Sequence, residues 1–412
     1  MTKLDQQPAI LALGTAVPQY CVPQQEIGQW MAASFHGQPV IQRLVRSIHA
    51  YSGIDARHSC TPEYLVPATE SPLAPGQSLD KTLTTAERMA IYERESIPLG
   101  MAAAMEALTA YATQSSLPYE TLLASITHLL VVSCTGFFAP GLDFMLATQL
   151  KLPATIKRTL IGFMGCAASF NALRAATEIV QGDPQARVLI VSVELCSLHS
   201  QQGTDRDLLV AASLFSDGAS ACLVGLPDAE QGDYFTLDTF HTSMKPDTQE
   251  EMVWQIGDYG FALRLSSRIP QHLADVAPDA LVTLFGAEGP AFWAIHPGGR
   301  AIVDRLAEIF MLPEDATESS REILRRYGNM SSATILFVLQ ALQMQLRQKP
   351  SDPQTLAGVA MAFGPGLVIE MARLEYVPRH TMVESGISQT QSFTAVRSNG
   401  RVPVLVQEAT TS

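Results

Sequence analysis

Apolar residues in this sequence form short continuous runs, and between the runs they recur every three or four positions. The runs have the length of buried strands and lie at 9–17, 127–133, 187–193, 290–295, 356–363 and 367–374. The intervening spacing is that of amphipathic helices, at 24–35, 85–113, 205–214 and 327–347. Strands that alternate with helices predict layered α/β units.

One stretch joins both patterns around Cys166. An apolar run at 160–164 ends in Gly165, and after Cys166 small and apolar residues follow at helical spacing, namely Ala167, Phe170, Leu173 and Ala176. We interpret this as a strand, a tight turn and a helix that begins at Cys166. Unpaired N–H groups and the helix dipole there favour a thiolate, so we expect the thiol pKa to fall from ~8.5 towards ~7. The alternative is a buried core residue, the commoner environment of an isolated cysteine.

Two patterns recur in the second part of the chain. Cys166 and Asn329 each follow a glycine and open a predicted helix that is rich in Ala and Ser. Phe215 and Phe363 each stand three residues before a glycine that precedes a strand. The recurrence predicts a duplicated unit in which equivalent chain ends meet and bring Cys166 and Asn329 together. A coincidence of common residue types is the alternative.

The recurrence also suggests the domain organisation. We place an N-terminal half at 1–240, which carries Cys166, and a C-terminal half at 241–378, which carries Asn329. Residues 379–412 are polar and lack a core-forming pattern, so we predict a loose tail there.

The overall charge and the cysteines limit the function classes. A net charge of −13 argues against nucleic acid or an anionic membrane as the main partner, although an anionic small molecule can bind a local basic patch. No stretch offers ~20 consecutive apolar residues, so no membrane span is expected, and residues 1–9 lack the apolar core of a signal peptide.

The six cysteines contain no Cys-x-x-Cys pair and the histidines no His-Glu-x-x-His motif. We therefore expect a reduced cytoplasmic protein without a metal site.

Cys166, His296 and Asn329 together form a possible catalytic set. The cysteine can act as a covalent nucleophile, and a nearby imidazole can keep it ionised as an ion pair. The Asn amide and the imidazole N–H can donate to a developing oxyanion. Taken singly, His296 also fits a core histidine and Asn329 a helix cap.

These residues stand in motifs that resemble one family. The chain is similar to the type III polyketide synthases, the chalcone and stilbene synthase family with the thiolase fold, over about residues 9–376. Five ordered motifs carry the resemblance: Gly162-Phe-Met-Gly-Cys166, Phe215-Ser-Asp-Gly-Ala219, His296-Pro-Gly-Gly299, Gly328-Asn-Met-Ser-Ser332 and Phe363-Gly-Pro-Gly366. The segments Glu194-Leu-Cys-Ser-Leu-His199 and Trp254-Gln-Ile-Gly-Asp258 resemble the bacterial branch.

The resemblance implies a layered αβαβα fold of two halves related by a pseudo-two-fold axis. It also implies an acyltransferase in which Cys166 takes a starter acyl group from an acyl-CoA. His296 and Asn329 are then expected to hold the malonyl-CoA carbonyl while CO2 leaves, and the product to be cyclised to a resorcinol or a pyrone. CoA thioesters are the substrates, no metal or redox cofactor is implied, and a homodimer is expected.

The resemblance assigns further residues to substrate binding. Phe215 matches the family's gatekeeper between the CoA tunnel and the inner cavity. A second gatekeeper is expected at Leu263 or Phe261, since side chains two positions apart on a strand lie on the same face. Arg57 matches a cation at the CoA entrance. The remaining expected cavity residues are Cys134, His199, Trp254, Ser331, Phe363, Gly364 and Pro365.

Several positions depart from the plant enzymes. Trp254 stands where chalcone synthases have a glycine, and Cys134 and His199 stand where they have threonines. These differences indicate a reshaped cavity and favour a fatty acyl or small aliphatic starter. Ala139 replaces the methionine that reaches across the dimer interface, so that contact is expected to be absent, and Asp55 stands at the entrance where a lysine is usual.

Three other functions use the same residues. A β-ketoacyl synthase that performs a single condensation, or another thiolase-fold condensing enzyme, shares the Cys, His and Asn. A cysteine hydrolase uses the same order, but the surroundings of Cys166 lack the Cys-Gly-Ser-Cys-Trp signature of papain-like enzymes. A catalytically silent scaffold would leave Cys166 no more reactive than the other five cysteines.

Overall fold

Most strands are short and buried, as the apolar runs predict. The computed structural model describes residues 7–228, 233–286, 288–348 and 355–378. In these residues the strands are β1 (Ala9–Ala16), β2 (Tyr20–Pro23), β3 (Ala56–Ser59), β4 (His128–Ser133), β5 (Lys157–Gly162), β6 (Val188–Leu195), β7 (Asp217–Gly225), β8 (Tyr234–Met244), β9 (Met252–Gly257), β10 (Gly260–Leu265), β11 (Phe292–Ile295), β12 (Leu356–Gly364) and β13 (Val368–Val377).

The helices of the described residues confirm the predicted alternation with strands. They are α1 (Gln24–Ser34), α2 (Pro39–Ala50), α3 (Thr85–Ser115), α4 (Tyr119–Ser125), α5 (Leu142–Gln149), α6 (Ala168–Gly182), α7 (Arg206–Leu214), α8 (Ile269–Phe285), α9 (Arg300–Ile309), α10 (Glu318–Tyr327) and α11 (Thr334–Gln348). Helix α3 begins in a capping box, in which Thr84 and Glu87 each accept a hydrogen bond from the other's main-chain N–H.

Helix α8 is an element that the sequence pattern does not predict. It contains Pro270 in its first turn and Pro278 in its interior, and proline inside a helix removes a main-chain hydrogen bond. The helix forms because Leu273, Ala277 and Ala280 are buried in an apolar cluster. Tertiary packing therefore overrides the local preference.

The largest sheet has nine strands in the order β11-β12-β13-β8-β1-β7-β6-β4-β5. The pairs β4/β5, β4/β6 and β11/β12 are parallel, and the other pairs are antiparallel. Among the described strands, those from the two parts of the chain meet only where β1 pairs with β8, through Ala9 and Ile10. The sheet therefore consists of two half-sheets with a short junction.

Three apolar clusters arrange these elements in five layers. The first contains α6 and α11 together with residues of both half-sheets, so these two helices form the central layer. In the second, α3 covers the outer face of the N-terminal half-sheet. In the third, α8 and α9 cover the outer face of the C-terminal half-sheet. This is the predicted αβαβα arrangement.

The described residues belong to one compact unit. Strand β8 crosses the predicted boundary at residue 240, and the division into halves at that residue stays a prediction. The predicted tail at 379–412 lies outside the described residues. Among the helices that are described, none is long and apolar enough to cross a membrane.

Candidate active site

Cys166 lies in a short turn between β5 and α6. A single 3-10 turn, Gly165–Ala167, precedes the helix. Gly165 has a φ of 67°, and a Cβ atom on it would lie 2.3 Å from Cδ of Pro365. Only glycine fits this turn, because the loop that carries Pro365 packs directly against it.

Asn329 approaches Cys166 from the second part of the chain. The 3-10 turn Ser331–Ala333 precedes α11 as the Cys166 turn precedes α6. The Sγ atom of Cys166 lies 4.0 Å from Oδ1 of Asn329. The prediction that equivalent helix starts meet is therefore confirmed.

Hydrogen bonds fix the orientation of the Asn329 amide. Its Oδ1 accepts from the main-chain N–H of Ser331 at 2.8 Å, and its Nδ2 donates to the carbonyl oxygen of Gly298 at 3.2 Å. An amide nitrogen carries two hydrogens. One of them is used by Gly298, so the second is available to a ligand.

His296 follows β11 and lines the same cavity as Cys166 and Asn329. Its main-chain N–H donates to the carbonyl oxygen of Met361 at 2.8 Å, which extends the pairing of β11 with β12. The side chain is 1% exposed, yet among the described residues neither ring nitrogen has a hydrogen-bond partner. Because buried polar groups are nearly always paired, this ring has the properties of a group whose partner is a substrate.

The cavity in front of these residues contains about 580 Å³ of empty space, including its opening to solvent. Of the predicted substrate-binding residues it is lined by Cys134, Phe215, Trp254, Leu263, Ser331, Phe363 and Pro365. Sequence reasoning missed other lining residues, which are Thr135, Cys196, Met252, Leu265 and Ile302. Cys196 lies in the segment Glu194–His199 that the sequence singled out, and the other four stand in none of the motifs quoted above.

Burial determines the protonation of the two central groups. It raises the pKa of the Cys166 thiol to about 12, against the opposite effects of contacts with Ser331 and Asn329. Burial lowers the pKa of His296 to about 3. The pair is therefore a thiol and a neutral imidazole. Burial therefore acts against the thiolate that we expected at the helix start.

This protonation predicts a pH dependence for the alkylation of Cys166. Below the thiol pKa the thiolate fraction grows about tenfold per pH unit, so the rate with iodoacetamide is expected to rise steadily between about pH 7 and pH 9. Mass spectrometry of the Cys166 peptide measures this rate, with the exposed Cys21 as the internal reference. A rate at Cys166 that is level over the same range would indicate an ion pair with His296 instead.

Glu194, at the end of β6, is a buried acid that the sequence did not assign to the site. Its Oε2 accepts from the N–H of Cys134 at 3.0 Å and from the hydroxyl of Thr135 at 2.9 Å. Its Oε1 accepts from the hydroxyl of Ser332. Burial raises its pKa to about 7, although these hydrogen bonds oppose the shift. Glu194 thereby connects the loop after β4 to the turn before α11.

Three aromatic side chains pack together into a wall, and of the three Trp254 lines the catalytic cavity. His199 accepts from the N–H of Phe261 through Nδ1 at 3.0 Å and donates through Nε2 to the carbonyl oxygen of Thr135 at 2.7 Å. Its ring stacks on Phe261 at 4.2 Å and meets the edge of Trp254 at 5.5 Å. Trp254 donates to the carbonyl oxygen of Cys134 at 2.6 Å. All the polar ring atoms are engaged, so the wall is fixed in place.

Two main-chain hydrogen bonds connect the segment of Phe215 to Asn329. The N–H of Asn329 donates to the carbonyl oxygen of Leu214, and the N–H of Ser216 donates to that of Asn329, both at 2.9 Å. The predicted gate residue is thus tied to the amide that faces Cys166. A displacement of Phe215 at its main chain would also displace Asn329.

Four of the predicted residues do not line the catalytic cavity, namely Phe261, His199, Gly364 and Arg57. Phe261 is 2% exposed and packs against His199, whereas Leu263 lines the cavity. Of the two candidates for a second gate, only Leu263 therefore borders the cavity among the described residues. A Cβ atom on Gly364 would lie 2.9 Å from the carbonyl oxygen of Met164, so this glycine permits close packing against the Cys166 turn.

Arg57 does not stand at the entrance as a free cation. The side chain is 2% exposed, and its Nε donates to Oε1 of Gln24 at 2.8 Å. Its Nη1 donates to the carbonyl oxygens of Ala212 and Phe215 at 2.8 and 2.6 Å. The entrance assignment fails because the main chain around Phe215 surrounds this guanidinium. Arg57 and His199 line a second cavity instead.

Comparisons with known proteins agree with this geometry. The family models for the N-terminal and C-terminal domains of chalcone and stilbene synthases match residues 3–228 and 237–378. The alpha-pyrone synthesis polyketide synthase-like Pks18 of Mycobacterium tuberculosis is 31% identical over 305 residues, 72% of this chain and 75% of the relative. Type III polyketide synthase 21 of Oryza sativa subsp. japonica is 29% identical over 371 residues, 88% and 92% of the two chains.

Two solved structures share the fold. The C-terminal type III polyketide synthase domain of Steely1 from Dictyostelium has a TM-score of 0.79 at 25% identity, covering 90% of this chain and 99% of its own. PKS-I of the brown alga Ectocarpus siliculosus has a TM-score of 0.79 at 27% identity, covering 90% and 98%. With its thiolase-like layers, the chain belongs to the chalcone and stilbene synthase family and is a type III polyketide synthase, an acyltransferase of the condensing kind.

Proposed function

We propose that the protein loads an acyl starter from an acyl-CoA onto Cys166, extends it with malonyl-CoA, and cyclises the chain to a resorcinol or a pyrone. The observation that carries this proposal is the meeting of Cys166, Asn329 and an unpartnered His296 ring in one buried cavity. A buried polar ring without a partner is unfavourable. The carbonyl oxygen of a thioester would supply that partner.

In the first step the sulfur of Cys166 attacks the carbonyl carbon of the starter thioester. His296 accepts the thiol proton as the new carbon–sulfur bond forms. The bond to the CoA sulfur then breaks, and the proton passes from His296 to that leaving sulfur. Burial holds the pKa of His296 low, so the imidazolium gives up this proton readily.

In the second step malonyl-CoA loses CO2, and the electron pair of the broken carbon–carbon bond becomes an enolate. His296 and the second Nδ2 hydrogen of Asn329 donate to the enolate oxygen. The enolate carbon attacks the thioester on Cys166, a carbon–carbon bond forms, and the sulfur of Cys166 leaves as a thiolate, which takes a proton from water. The lengthened chain, now on CoA, returns to Cys166 for the next extension.

The size and lining of the cavity support an aliphatic starter. Its wall is mainly apolar and includes Trp254, Leu263 and Met252, and the relative Pks18 is named for alpha-pyrone synthesis. Mass spectrometry of the products from malonyl-CoA with a panel of acyl-CoA starters tests the proposal. Cyclised products with two or more added units would support it, whereas a single condensation or hydrolysed starter alone would contradict it.

Replacing Trp254 by glycine is expected to shift the starter preference towards longer chains. Trp254 lines both cavities, so removal of the indole joins them and gives an acyl chain more apolar surface. If about two of the six additional CH2 groups become buried, at about 0.8 kcal/mol each, the ratio of kcat/KM for dodecanoyl-CoA over hexanoyl-CoA is expected to rise by about 10-fold. Trp254→Phe, which keeps a ring in place, is the control. An unchanged ratio in a folded Trp254→Gly protein would contradict this prediction.

We also propose that the protein is a homodimer that acts in the cytoplasm. β5 is an edge strand whose outer side is unpaired among the described residues, and edge strands are usually covered. Near it, Phe144, Leu160 and Met164 are each more than 40% exposed, which supports a partner surface. The free cysteines support a reducing compartment. Light scattering that gives the mass of one chain would contradict the dimer.

A further inference from the structure

The hairpin of β9 and β10 forms one side of the catalytic cavity. Its two strands make a sheet of their own, apart from the nine-stranded sheet. Across the strands Trp254 pairs with Leu263 and Met252 pairs with Leu265, and all four residues line the cavity. A two-stranded hairpin is at best marginally stable by itself. The position of this hairpin therefore depends on its contacts with the rest of the chain.

The other face of the hairpin is turned away from the cavity. Side chains alternate between the two faces along a strand, so Gln255 and Arg264 lie opposite the residues that line the cavity, and both are exposed. Inward movement of the hairpin is blocked by His199, whose ring meets that of Trp254 at 5.5 Å. A hairpin that loses its contacts can therefore move only outwards.

Thr85, the first residue of α3, holds the turn of this hairpin. Its main-chain N–H donates to the carbonyl oxygen of Asp258 at 2.8 Å. Its hydroxyl donates to the carbonyl oxygen of Gly257 and accepts from the N–H of Gly260 at 2.8 Å. One hydroxyl group thus binds both strands at the point where they meet the turn.

The opposite end of the hairpin is also anchored. The N–H of Gly366 donates to the carbonyl oxygen of Met252 at 3.1 Å. Trp254 stands between the two anchors, two residues from Met252 and three from Gly257. A displacement of the turn therefore also displaces Trp254.

Arg88, one helical turn after Thr85, connects the hairpin turn to the segment around His199. Its side chain is fully buried, and its Nη1 donates to the carbonyl oxygens of Leu198 and Ser200, the two neighbours of His199. A Cβ atom on Gly260 would lie 3.0 Å from Cδ of Arg88, so the arginine packs directly against the turn. His199 in turn accepts from a main-chain N–H of β10.

We propose that Thr85 and Arg88 are positioning residues that hold the β9–β10 hairpin against the catalytic cavity and thereby limit the length of the acyl chain that the cavity accepts. The inference rests on the proposed condensing function and deepens it, because it assigns substrate length to residues outside the cavity. Neither of the two lines the catalytic cavity. They act through Trp254 and Leu263, which the hairpin carries.

Thr85→Val tests the inference, because it removes the hydroxyl and keeps the shape of the side chain. A longer acyl chain must displace the hairpin, and this displacement costs less without the two hydroxyl bonds. The ratio of kcat/KM for dodecanoyl-CoA over hexanoyl-CoA is expected to rise by about 5-fold, as the loss of one net hydrogen bond implies. The rise is smaller than in Trp254→Gly, because Trp254 keeps its bond to Cys134. An unchanged ratio in Thr85→Val would overturn the inference.

Two control variants separate positioning from stability. Thr85→Ser keeps the hydroxyl and should keep the ratio. Thr113→Val makes the same change at an exposed position of α3, where the hydroxyl donates to the carbonyl oxygen of Thr109, and should also keep it. A protein that is only less stable contains less folded enzyme, which lowers kcat/KM for both starters equally. A shift in Thr85→Ser as large as that in Thr85→Val would contradict the role of the hydroxyl.

Arg88→Met tests the second residue. It removes the donor to Leu198 and Ser200 and leaves the bonds of Thr85 in place. The ratio is expected to rise in the same direction as in Thr85→Val. A folded Arg88→Met protein with an unchanged ratio would overturn the role of Arg88.

Hydrogen exchange of the full chain measures the hold on the hairpin without turnover. Peptides that cover residues 252–265 should exchange about 5-fold faster in Thr85→Val than in Thr85→Ser or the unchanged protein. Equal exchange in the three proteins would overturn the positioning role. Faster exchange in a chain whose unchanged form makes no polyketide would support that role and remove the condensing function alone. Polyketide formation with an unchanged starter ratio would remove this inference alone.

Discussion

Replacing Cys166 by alanine is expected to abolish polyketide formation, with turnover lowered by about 10³-fold or more. The variant has no sulfur to carry the starter, so the enolate meets no thioester in the cavity. CO2 release from malonyl-CoA is expected to continue, because His296 and the Asn329 amide, which hold the enolate oxygen, are untouched. Product mass spectrometry and a CO2 release assay measure the two outcomes separately.

A matched control for this prediction is Cys222→Ala. Cys222 is a buried thiol in β7 and does not line the catalytic cavity described above. The Cys222→Ala variant should therefore form polyketide at a rate close to that of the unchanged protein. Polyketide formation that persists in Cys166→Ala would refute the covalent role of the cysteine. Loss of CO2 release in the same variant would show that the thiol itself is needed for decarboxylation.

The parts of the site that the sequence predicted are those with local signals. Cys166 and Asn329 each begin a helix after a glycine, and this recurrence was enough to predict that they meet. The five layers also follow from local pattern, since apolar runs and helical spacing alternate along the chain. His296 was predicted because it directly follows a buried strand.

The parts that could not be predicted depend on contacts between distant segments. The wall formed by His199 and Phe261 joins residues that are 62 positions apart. The burial of Arg57 results from carbonyl oxygens more than 150 positions away. The effect of burial, which raises the thiol pKa of Cys166, could not be predicted either, because a helix start is visible in sequence and the desolvation by the surrounding cavity is not.

Replacing His296 by alanine is expected to impair both half-reactions. Acylation of Cys166 should fall by about 10²- to 10⁴-fold through loss of the base, and CO2 release by about 10²- to 10³-fold through loss of an oxyanion donor. Neither ring nitrogen has a partner in the part of the chain that the structure describes, so the substitution removes no hydrogen bond seen there. Intact-protein mass after mixing with octanoyl-CoA reports acylation, and a CO2 release assay reports decarboxylation.

The variant His296→Gln separates the two roles of this residue. A glutamine amide can donate to the enolate oxygen but cannot accept the thiol proton of Cys166 at neutral pH. CO2 release is therefore expected to recover to about 10-fold above that of His296→Ala, while acylation stays as low as in that variant. Recovery of acylation with glutamine would show that Cys166 loses its proton to another acceptor, and buried Glu194, whose pKa burial raises to about 7, is a candidate.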